Sequence, residues 1–210
     1  MKTLLLALLF LSFLTQAQMT DEIKSIQSQW AQINYQSAED DKEEAFEKLA
    51  KTATQYVANN PKNVHALVWE GIIYSTYAGV AGTFSAGKLA KHAKKSFEKA
   101  IKTDGNLLNG SAYTSLGVLY FKVPGWPLSF GSDKKAVKNL KKGLKINPNG
   151  IDSNYFYADY LVEDGDYKQA KEYLLKAQKA APRPTRPVAD EGRQGEIKQL
   201  LNKVNEELNE

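Results

Sequence analysis

Apolar side chains recur every three or four residues along most of the chain, with polar side chains between them. Two such stripes follow each other between residues 21 and 60: Ile23, Ile26, Trp30 and Ile33, then Phe46, Leu49, Ala53 and Tyr56. This spacing places residues on one face of an α-helix, whereas a half-buried strand alternates at every second residue. Because strand-type alternation is almost absent, the pattern predicts an all-α chain.

The predicted helices fall into pairs separated by turn residues. Gly165 can adopt a positive φ between two helices, Asp166 can cap the helix that follows, and Pro148 ends a helix because it lacks a backbone amide. These boundaries predict about four helical hairpins, at roughly 21–60, 63–105, 107–149 and 151–182. An amphipathic helix near 189–208 is expected to cap the open end of the array.

Two of the hairpins contain a repeated segment. Aligning KAVKNLKKGLKINPNG (135–150) with KQAKEYLLKAQKAAPRP (168–184) pairs Ala136 with Ala170, and also the prolines that follow, each 34 residues apart. A period of 34 residues is typical of stacked helical hairpins. The chain therefore resembles the tetratricopeptide-repeat family. The resemblance implies a right-handed superhelical α-solenoid forming a single domain over residues 18–210.

The N-terminal residues differ from the rest of the chain. One lysine precedes an apolar run from Leu4 to Leu14, and small or polar residues follow as far as Ala17. At about 1.5 Å per residue, this run is too short for a hydrocarbon core about 30 Å thick. We expect a signal peptide at 1–17 and a mature chain beginning at Gln18, with a buried amphipathic start as the alternative. The expected location is periplasmic or secreted.

Composition narrows the classes of function. The sequence has no cysteine, which excludes a lipid-modified cysteine and a disulfide framework. Its formal net charge of +4 is too small to indicate a nucleic-acid partner, and no segment after the signal is apolar enough for a membrane helix. The two histidines fall in different helices, and no polar residue lies in an activating motif. We therefore expect a non-enzymatic protein without a cofactor or metal site.

One segment has the spacing of a phosphate-binding loop. Residues 82–88 match the glycine and lysine positions of G-x-x-x-x-G-K, but Leu89 stands where the motif requires Ser or Thr. The segment also follows a predicted helix, whereas a nucleotide-binding loop follows a strand. We interpret residues 79–87 as a glycine-rich insertion that carries the start of the second helix and folds Phe84 onto the core.

A second insertion, VPGWPLSFG (123–131), separates the helices of the third hairpin. Both insertions join the first helix of a hairpin to its second, so stacking should bring them out along the same edge. Phe84, Trp126 and Phe130 then form a candidate binding edge, because insertions in repeat arrays commonly build the binding face. The alternative is that these aromatic side chains only cover the core.

Basic residues are distributed unevenly. Arg183, Arg186 and Arg193 are the only arginines, whereas the other 25 basic residues are lysines. Arginine offers a planar fork for carboxylates that lysine lacks. The arginines either pair with Asp190, Glu191 or backbone carbonyls to dock the last helix, or they bind an anionic ligand. The lysines on the second helices of the hairpins should form solvated faces, with anionic lipid headgroups as the alternative.

Tetratricopeptide-repeat proteins bind peptides or protein surfaces with the concave face formed by the first helices of their hairpins. The resemblance places seven positions near that groove: Val68, Ile72, Thr114, Val118, Phe121, Tyr155 and Asp159. The set is mostly apolar and lacks the Lys/Asn pattern with which some family members hold a C-terminal carboxylate. Binding of chaperone tails is therefore not expected.

A closer resemblance covers residues 60–198. The segments VPGWPLSFG, NPNGIDSNYFYADYLVEDGDY and PRPTRPVADEGR are similar to the exported T component associated with TRAP transporters. This resemblance implies a periplasmic protein that partners a solute-binding protein, with a ligand channel through the helical array.

Two hypotheses of function remain open. The leading one is an exported helical-repeat adaptor that binds a protein in the cell envelope, such as the solute-binding component of a transporter. The alternative is direct binding of a small hydrophobic or carboxylated ligand in a pocket formed by the hairpin loops, with Trp126, Phe130 and an arginine as contacts. The sequence leaves the oligomeric state open.

Overall fold

The computed structural model describes residues 19–209, which form nine α-helices, one short 3-10 turn and no strand. The predicted all-α fold is confirmed. The expected signal peptide at 1–17 lies outside the described residues. Within 19–209, none of the helices combines the length and the hydropathy needed to cross a bilayer.

The helices follow one another in pairs. Their bounds are α1 Asp21–Gln36, α2 Glu39–Asn59, α3 Val64–Val80, α4 Thr83–Asp104, α5 Ser111–Lys122, α6 Asp133–Ile146, α7 Ile151–Glu163, α8 Tyr167–Gln178 and α9 Pro187–Glu207, with the 3-10 turn at Leu107–Gly110. The closest packing is between α3 and α4, α5 and α6, and α7 and α8, and each pair also packs on the next. This succession of stacked pairs is a helical-repeat array.

Local side-chain chemistry explains where several helices begin. The side chains of Asn63, Ser132 and Asp166 each accept a hydrogen bond from a backbone amide in the first turn of α3, α6 and α8 respectively. Gly165, in the turn before α8, has a φ of +81°, a conformation that favours glycine. The turn predicted at this position is therefore present.

Paired helices approach closely where a small residue faces a large one. A Cβ on Gly71 would lie 2.5 Å from the Phe97 ring, and a Cβ on Gly117 would lie 2.7 Å from Leu140. Phe97 and Leu140 are almost completely buried, so each ring or branched side chain fills the space that a glycine leaves on the partner helix. These contacts form the continuous core of the array.

A buried polar cluster joins α3 to α4. The Glu70 carboxylate accepts a hydrogen bond from Ser96 Oγ at 2.7 Å and lies 3.1 Å from His92 Nε2. The His92 ring stacks on Tyr74 with their centroids 3.8 Å apart. Burial raises the pKa of Glu70, but hydrogen bonds from His92 and Ser96 outweigh it and hold the pKa below its usual value.

The glycine-rich segment GTFSAGKL is mostly helical. The helix α3 continues to Val80 and α4 begins at Thr83, so only Ala81 and Gly82 connect them. The insertion therefore lengthens the hairpin, and α4 has 22 residues whereas α8 has 12. Phe84 is fully exposed, so the expectation that it folds onto the core is wrong.

The last helix does more than cap the array. It packs on α8 and α7, as expected for a cap, but it also reaches back to α1. Gly192 lies against the Tyr35 ring with no room for a Cβ, and Ala189 is buried in the apolar cluster built by α1, α2 and α3. The small residues on α9 permit this approach, so the first and last helices meet and the array closes on itself.

Candidate functional site

A cavity of about 490 Å³ lies inside the closed array. Its wall comes from α1, α3, α5, the beginning of α7 and residues 181–193. This volume falls in the range of roughly 300–1,000 Å³ that small-molecule sites occupy. We call it the central cavity.

Aromatic rings and small polar side chains line the central cavity together. The aromatic residues are Trp30, Tyr35, Trp69 and Phe156, and the polar ones include Ser75, Thr76, Asn109, Thr114 and Ser115. The Trp30 and Trp69 rings lie 5.9 Å apart, and Trp30 Nε1 donates a hydrogen bond to Thr76 Oγ1 at 3.0 Å. The wall can therefore contact both the apolar body and the polar groups of a small molecule.

An ion-pair network centred on Asp152 borders the cavity. Arg183 Nη1 lies 2.5 Å from Asp152 Oδ2, and Arg193 Nε donates to Asp152 Oδ1 at 3.0 Å. Arg183 also pairs with Asp190 at 2.5 Å, and Arg193 pairs with Glu196. These contacts tie α7 to the segment before α9 and to α9 itself. The prediction that the arginines dock the last helix through Asp190 agrees with these contacts, but Asp152 is the group they share.

Arg186 differs from the other two arginines because it has no close carboxylate. Its Nη1 lies 4.0 Å from Asp152 Oδ2, at the limit of an ion pair, and its guanidinium lies 5.3 Å from the centre of the Trp69 ring. Among the described residues, the buried donors Arg186 Nε and Trp69 Nε1 have no hydrogen-bond acceptor. Most buried donors are paired in proteins, and both residues line the central cavity, so a ligand acceptor could pair these donors once the Arg186 or Trp69 side chain turns towards it.

The electrostatics of the network follow from burial and the three guanidinium charges. Burial raises the pKa of Asp152, but Arg193, Arg183 and Arg186 outweigh it and hold that pKa well below its usual range. Burial raises the pKa of Glu196, with Arg193 acting against the increase. Burial lowers the pKa of Arg186; Asp152 opposes this decrease and the neighbouring arginines add to it, although a guanidinium stays charged at physiological pH.

The local sequence explains how Arg186 is held at the cavity. Pro187 is the first residue of α9, where its fixed φ suits the helix and its missing amide is not needed. The Arg186 amide donates to the Arg183 carbonyl at 2.8 Å, and the Asp190 amide donates to the Arg186 carbonyl at 3.0 Å. The backbone of Arg186 is therefore fixed on both sides at the cavity wall.

The turn before α5 also shapes the wall. Leu108 and Asn109 have φ values of +52° and +54°, and Gly110 follows with +73°. A non-glycine residue in the left-handed region costs about 1–3 kcal/mol, and strained backbone of this kind concentrates at functional sites. Leu108 and Asn109 both line the central cavity, so the strained turn forms part of its surface.

The structure brings part of the predicted site together. The predicted residues that line the central cavity are Ile72, Thr114, Val118, Arg183 and Arg186. The first three come from the predicted concave face. The two arginines come from residues 181–186, which precede α9 and which we call the C-terminal segment. The sequence could not place these two groups together. The segment and α9 lie across the inner face of the first helices, so the groove holds part of the chain itself.

The other predicted groove residues have different surroundings. Val68 is fully buried in the core, so its placement at the groove surface is wrong. Phe121 packs edge-on against Tyr160 at 5.6 Å. Tyr155 lies under the Arg193 guanidinium at 4.4 Å, and Asp159 pairs with Lys122 at 3.1 Å.

The predicted aromatic edge does not form the cavity. Phe84 and Trp126 are exposed, whereas Phe130 is half-buried with its ring edge-on to Tyr120 at 5.9 Å. No hairpin-loop residue of 123–131 lines the central cavity. The first helices and the C-terminal segment build the central cavity, so it is a different location from the loop pocket that the sequence predicts.

The site residues predicted from the sequence do not include Trp30, Trp69 or Asp152. Trp30 and Trp69 lie in apolar stripes that predict core, and both are in fact less than a tenth exposed. Asp152 has the appearance of an ordinary acidic residue in the first turn of a helix. The only available signal was the clustering of the three arginines, which calls for more carboxylates than residues 182–193 supply.

Comparison with known proteins agrees with the repeat. Residues 151–184, which contain α7 and α8, match the tetratricopeptide repeat model. No curated protein sequence matches the chain, and the resemblance to the T component is not confirmed. The fold is that of an all-α helical repeat, which suits a protein-interaction scaffold.

Two solved structures are similar to this chain. A crystal structure of MamA has a TM-score of 0.47 and 20% identity, covering 83% of this chain and 96% of that chain. A crystal structure of MamA protein has a TM-score of 0.46 and 18% identity, covering 90% of this chain and 93% of that chain.

Proposed function

We propose that this chain is a non-enzymatic helical-repeat protein that binds a small carboxylate-bearing molecule in the central cavity. The observation that carries the proposal is the pair of buried donors, Arg186 Nε and Trp69 Nε1, which have no acceptor among the described residues. One carboxylate can accept from a guanidinium at one oxygen and from a second donor at the other.

Charge and shape select the ligand class. The carboxylates of Asp152, Asp190 and Glu196 lie closest to Arg183 and Arg193, which leaves Arg186 as the arginine without a close partner and the one placed to pair with an incoming anion. The aromatic walls suit an apolar or aromatic body. A molecule with one carboxylate and one ring or short aliphatic chain fits both features.

Reactive groups play no part in this proposal. The residues that line the central cavity include neither histidine nor cysteine. Its aspartate, Asp152, is held by arginines with its pKa well below its usual range, which makes it a poor proton acceptor. The proposed role is therefore binding, without a chemical step.

Native mass spectrometry and titration test this proposal. Purified protein should retain a small molecule, and phenylacetate should bind with a change in tryptophan fluorescence whereas phenylacetamide should not. Arg186→Gln should weaken phenylacetate binding by about tenfold or more, because a hydrogen bond to a charged group contributes about 1.5–3 kcal/mol. Lys88→Gln, which removes an exposed charge remote from the cavity lining, is the control. Equal binding of acid and amide would refute the proposal.

We further propose a protein partner, as expected for an adaptor. The repeat match at 151–184 and the exposed Phe84 at the end of the long α3–α4 hairpin favour this second role. Pull-down from an envelope extract should recover a stoichiometric partner, such as a solute-binding protein. Phe84→Ala should abolish recovery without changing thermal stability, because the side chain is fully exposed. Undiminished recovery with this variant would exclude the hairpin end as the docking site.

Export is part of the same proposal. The apolar run from Leu4 to Leu14 and the small residues before Gln18 support a cleaved signal. N-terminal sequencing of protein from the periplasm or medium should begin at Gln18. Protein that keeps Met1 and remains in the cytoplasm would exclude this location.

A further inference from the structure

The outer surface of α4 and α6 carries an unusual concentration of lysine. Together the two helices contain twelve lysines and three acidic residues, a local charge of +9, compared with +4 for the whole chain. The rest of the chain is therefore net negative. The sequence predicts an ordinary solvated face for these lysines, but their arrangement in the structure is more specific.

The lysines form a stripe on each helix, opposite its buried side. On α4 the stripe consists of Lys88, Lys91, Lys95, Lys99 and Lys102, all exposed, whereas Ala93, Phe97 and Ala100 on the other side are buried. On α6 it consists of Lys134, Lys138, Lys141 and Lys145, opposite Ala136, Leu140 and Gly143. We call these nine residues the lysine face.

The two stripes are neighbours in space. Both α4 and α6 pack on α5. Lys94 Nζ of α4 lies 5.8 Å from the Phe130 ring, Lys135 Nζ of α6 lies 5.3 Å from the Tyr120 ring, and those two rings are in contact. Neither lysine belongs to a stripe, but the two contacts show that the helices carrying the stripes border the same aromatic pair, which brings their outer surfaces next to each other.

No carboxylate of the described residues lies within ion-pair distance of the lysine face. Glu98 pairs with Lys94, which lies outside the face. In contrast, the lysines of α2 are paired: Lys42 with Glu39, Lys48 with Glu44 and Lys51 with Glu47. Like charges one helical turn apart destabilise a helix, so the lysine face does not stabilise this fold. An external anionic partner would relieve that repulsion.

Two exposed apolar side chains lie in the loop between α5 and α6, which leads directly into the lysine-bearing α6. Trp126 is 89% exposed and Leu128 is 82% exposed. Backbone hydrogen bonds from Gly131 to Pro124 and from Ser132 to Tyr120, at 2.9 and 2.8 Å, hold this loop in place. A tryptophan and a leucine held out in a loop that leads into a lysine-bearing helix are suited to the interface of a lipid bilayer.

We propose that the lysine face, with Trp126 and Leu128, docks on an anionic lipid bilayer. The face contains lysine and no arginine, whereas specific protein interfaces favour arginine and are depleted in lysine. A diffuse layer of headgroups needs charge and no fixed hydrogen-bond geometry, which lysine supplies. Each lysine near an anionic leaflet contributes about fivefold to binding.

Vesicle sedimentation with the full chain tests the proposal. Phosphatidylcholine vesicles that contain phosphatidylglycerol should sediment the protein, and salt should reverse the interaction. Combining Lys138→Gln, Lys141→Gln and Lys145→Gln should weaken binding by roughly a hundredfold. The apolar residues 4–14 are common to all variants, so differences between variants report only on the lysines.

The α2 lysines supply a control with the same change in net charge. Combining Lys42→Gln, Lys48→Gln and Lys51→Gln should leave vesicle binding within about twofold, because these lysines already have partners. Equal losses in the two triple variants would overturn the proposal, as would undiminished binding of the α6 variant. If polyglutamate binds the protein while anionic vesicles do not sediment it, the partner is an acidic protein and the lipid proposal is wrong.

Tryptophan fluorescence gives a second readout. Trp126 is exposed whereas Trp30 and Trp69 are buried. Vesicles should therefore shift the emission of the unmodified protein to shorter wavelength, and Trp126→Phe should abolish that shift while circular dichroism confirms an intact fold. A shift that persists in Trp126→Phe would exclude the loop from the contact.

Discussion

Replacing Asp152 with asparagine should destabilise the closure of the array. Asp152 accepts hydrogen bonds from Arg183 at 2.5 Å and from Arg193 at 3.0 Å, which join α7 to the C-terminal segment and α9. Asparagine keeps the shape of the side chain but removes the negative charge. The three guanidinium groups then repel one another across the cavity wall without the carboxylate between them.

The contacts set the magnitude of the effect. Each hydrogen bond to a charged group contributes about 1.5–3 kcal/mol. The Asp152 side chain is 32% exposed, so solvent screens part of the free energy of these hydrogen bonds. The asparagine carbonyl can also still accept one hydrogen bond. We expect a loss of about 3 kcal/mol in the free energy of unfolding. For a chain of this length, that corresponds to a decrease of about 6–12 °C in Tm.

The effect should depend on pH. The folded-state pKa of Asp152 is held below its unfolded value, so its contribution is present above about pH 4 and is lost as the pH falls further. Urea unfolding followed by circular dichroism at several pH values measures this. The curves of unmodified protein and Asp152→Asn should differ most near neutral pH and converge in acid.

A matched substitution separates the network from a general charge effect. Asp164 is exposed and forms no ion pair with the described residues. Asp164→Asn should therefore change the free energy of unfolding by less than about 0.5 kcal/mol. A loss below 1 kcal/mol for Asp152→Asn, or a difference that persists unchanged into strong acid, would refute the assigned role of Asp152.

Two further predictions concern the α3–α4 pair. Gly71→Ala should lower the free energy of unfolding, measured in urea, by about 1–3 kcal/mol, because the new Cβ would lie 2.5 Å from the Phe97 ring. Gly79→Ala is the control: its Cβ meets nothing within 4 Å, so it should stabilise α3 by a few tenths to about 1 kcal/mol. Equal effects of the two substitutions would contradict the close packing. Glu70→Gln should cost about 1–3 kcal/mol near neutral pH, since it removes the buried charge beside His92. Because the pKa of Glu70 is lowered on folding, this difference should disappear as the pH falls below about 4, and a constant difference would exclude the pair.

The pattern of apolar positions was sufficient to predict the class of fold. Stripes such as Ile23, Ile26 and Trp30 have a helical period, and burying them requires stacked pairs because no single hairpin covers its own apolar face. Helix caps and turns could also be predicted, because they depend on neighbouring residues alone: Asp166 caps the helix that follows it, and Gly165 forms the turn before that helix. The glycine-rich insertion in the α3–α4 hairpin is more helical than its composition indicates, because glycine lowers helix propensity without preventing a helix.

The central cavity could not be predicted, because its wall joins residues that are far apart in the sequence. Val68 and Ile72 lie one turn apart on the same helix, yet Val68 is buried in the core and Ile72 lies at the cavity surface. Only the direction of the neighbouring helices decides which of these two environments each residue has. Asp152 meets Arg183 and Arg193 because α9 packs back on α7, and the small Gly192 lets the same helix approach Tyr35 of α1. Sequence periodicity fixes which face of each helix is apolar, whereas contacts between distant segments, which depend on tertiary packing, decide which polar groups share a site.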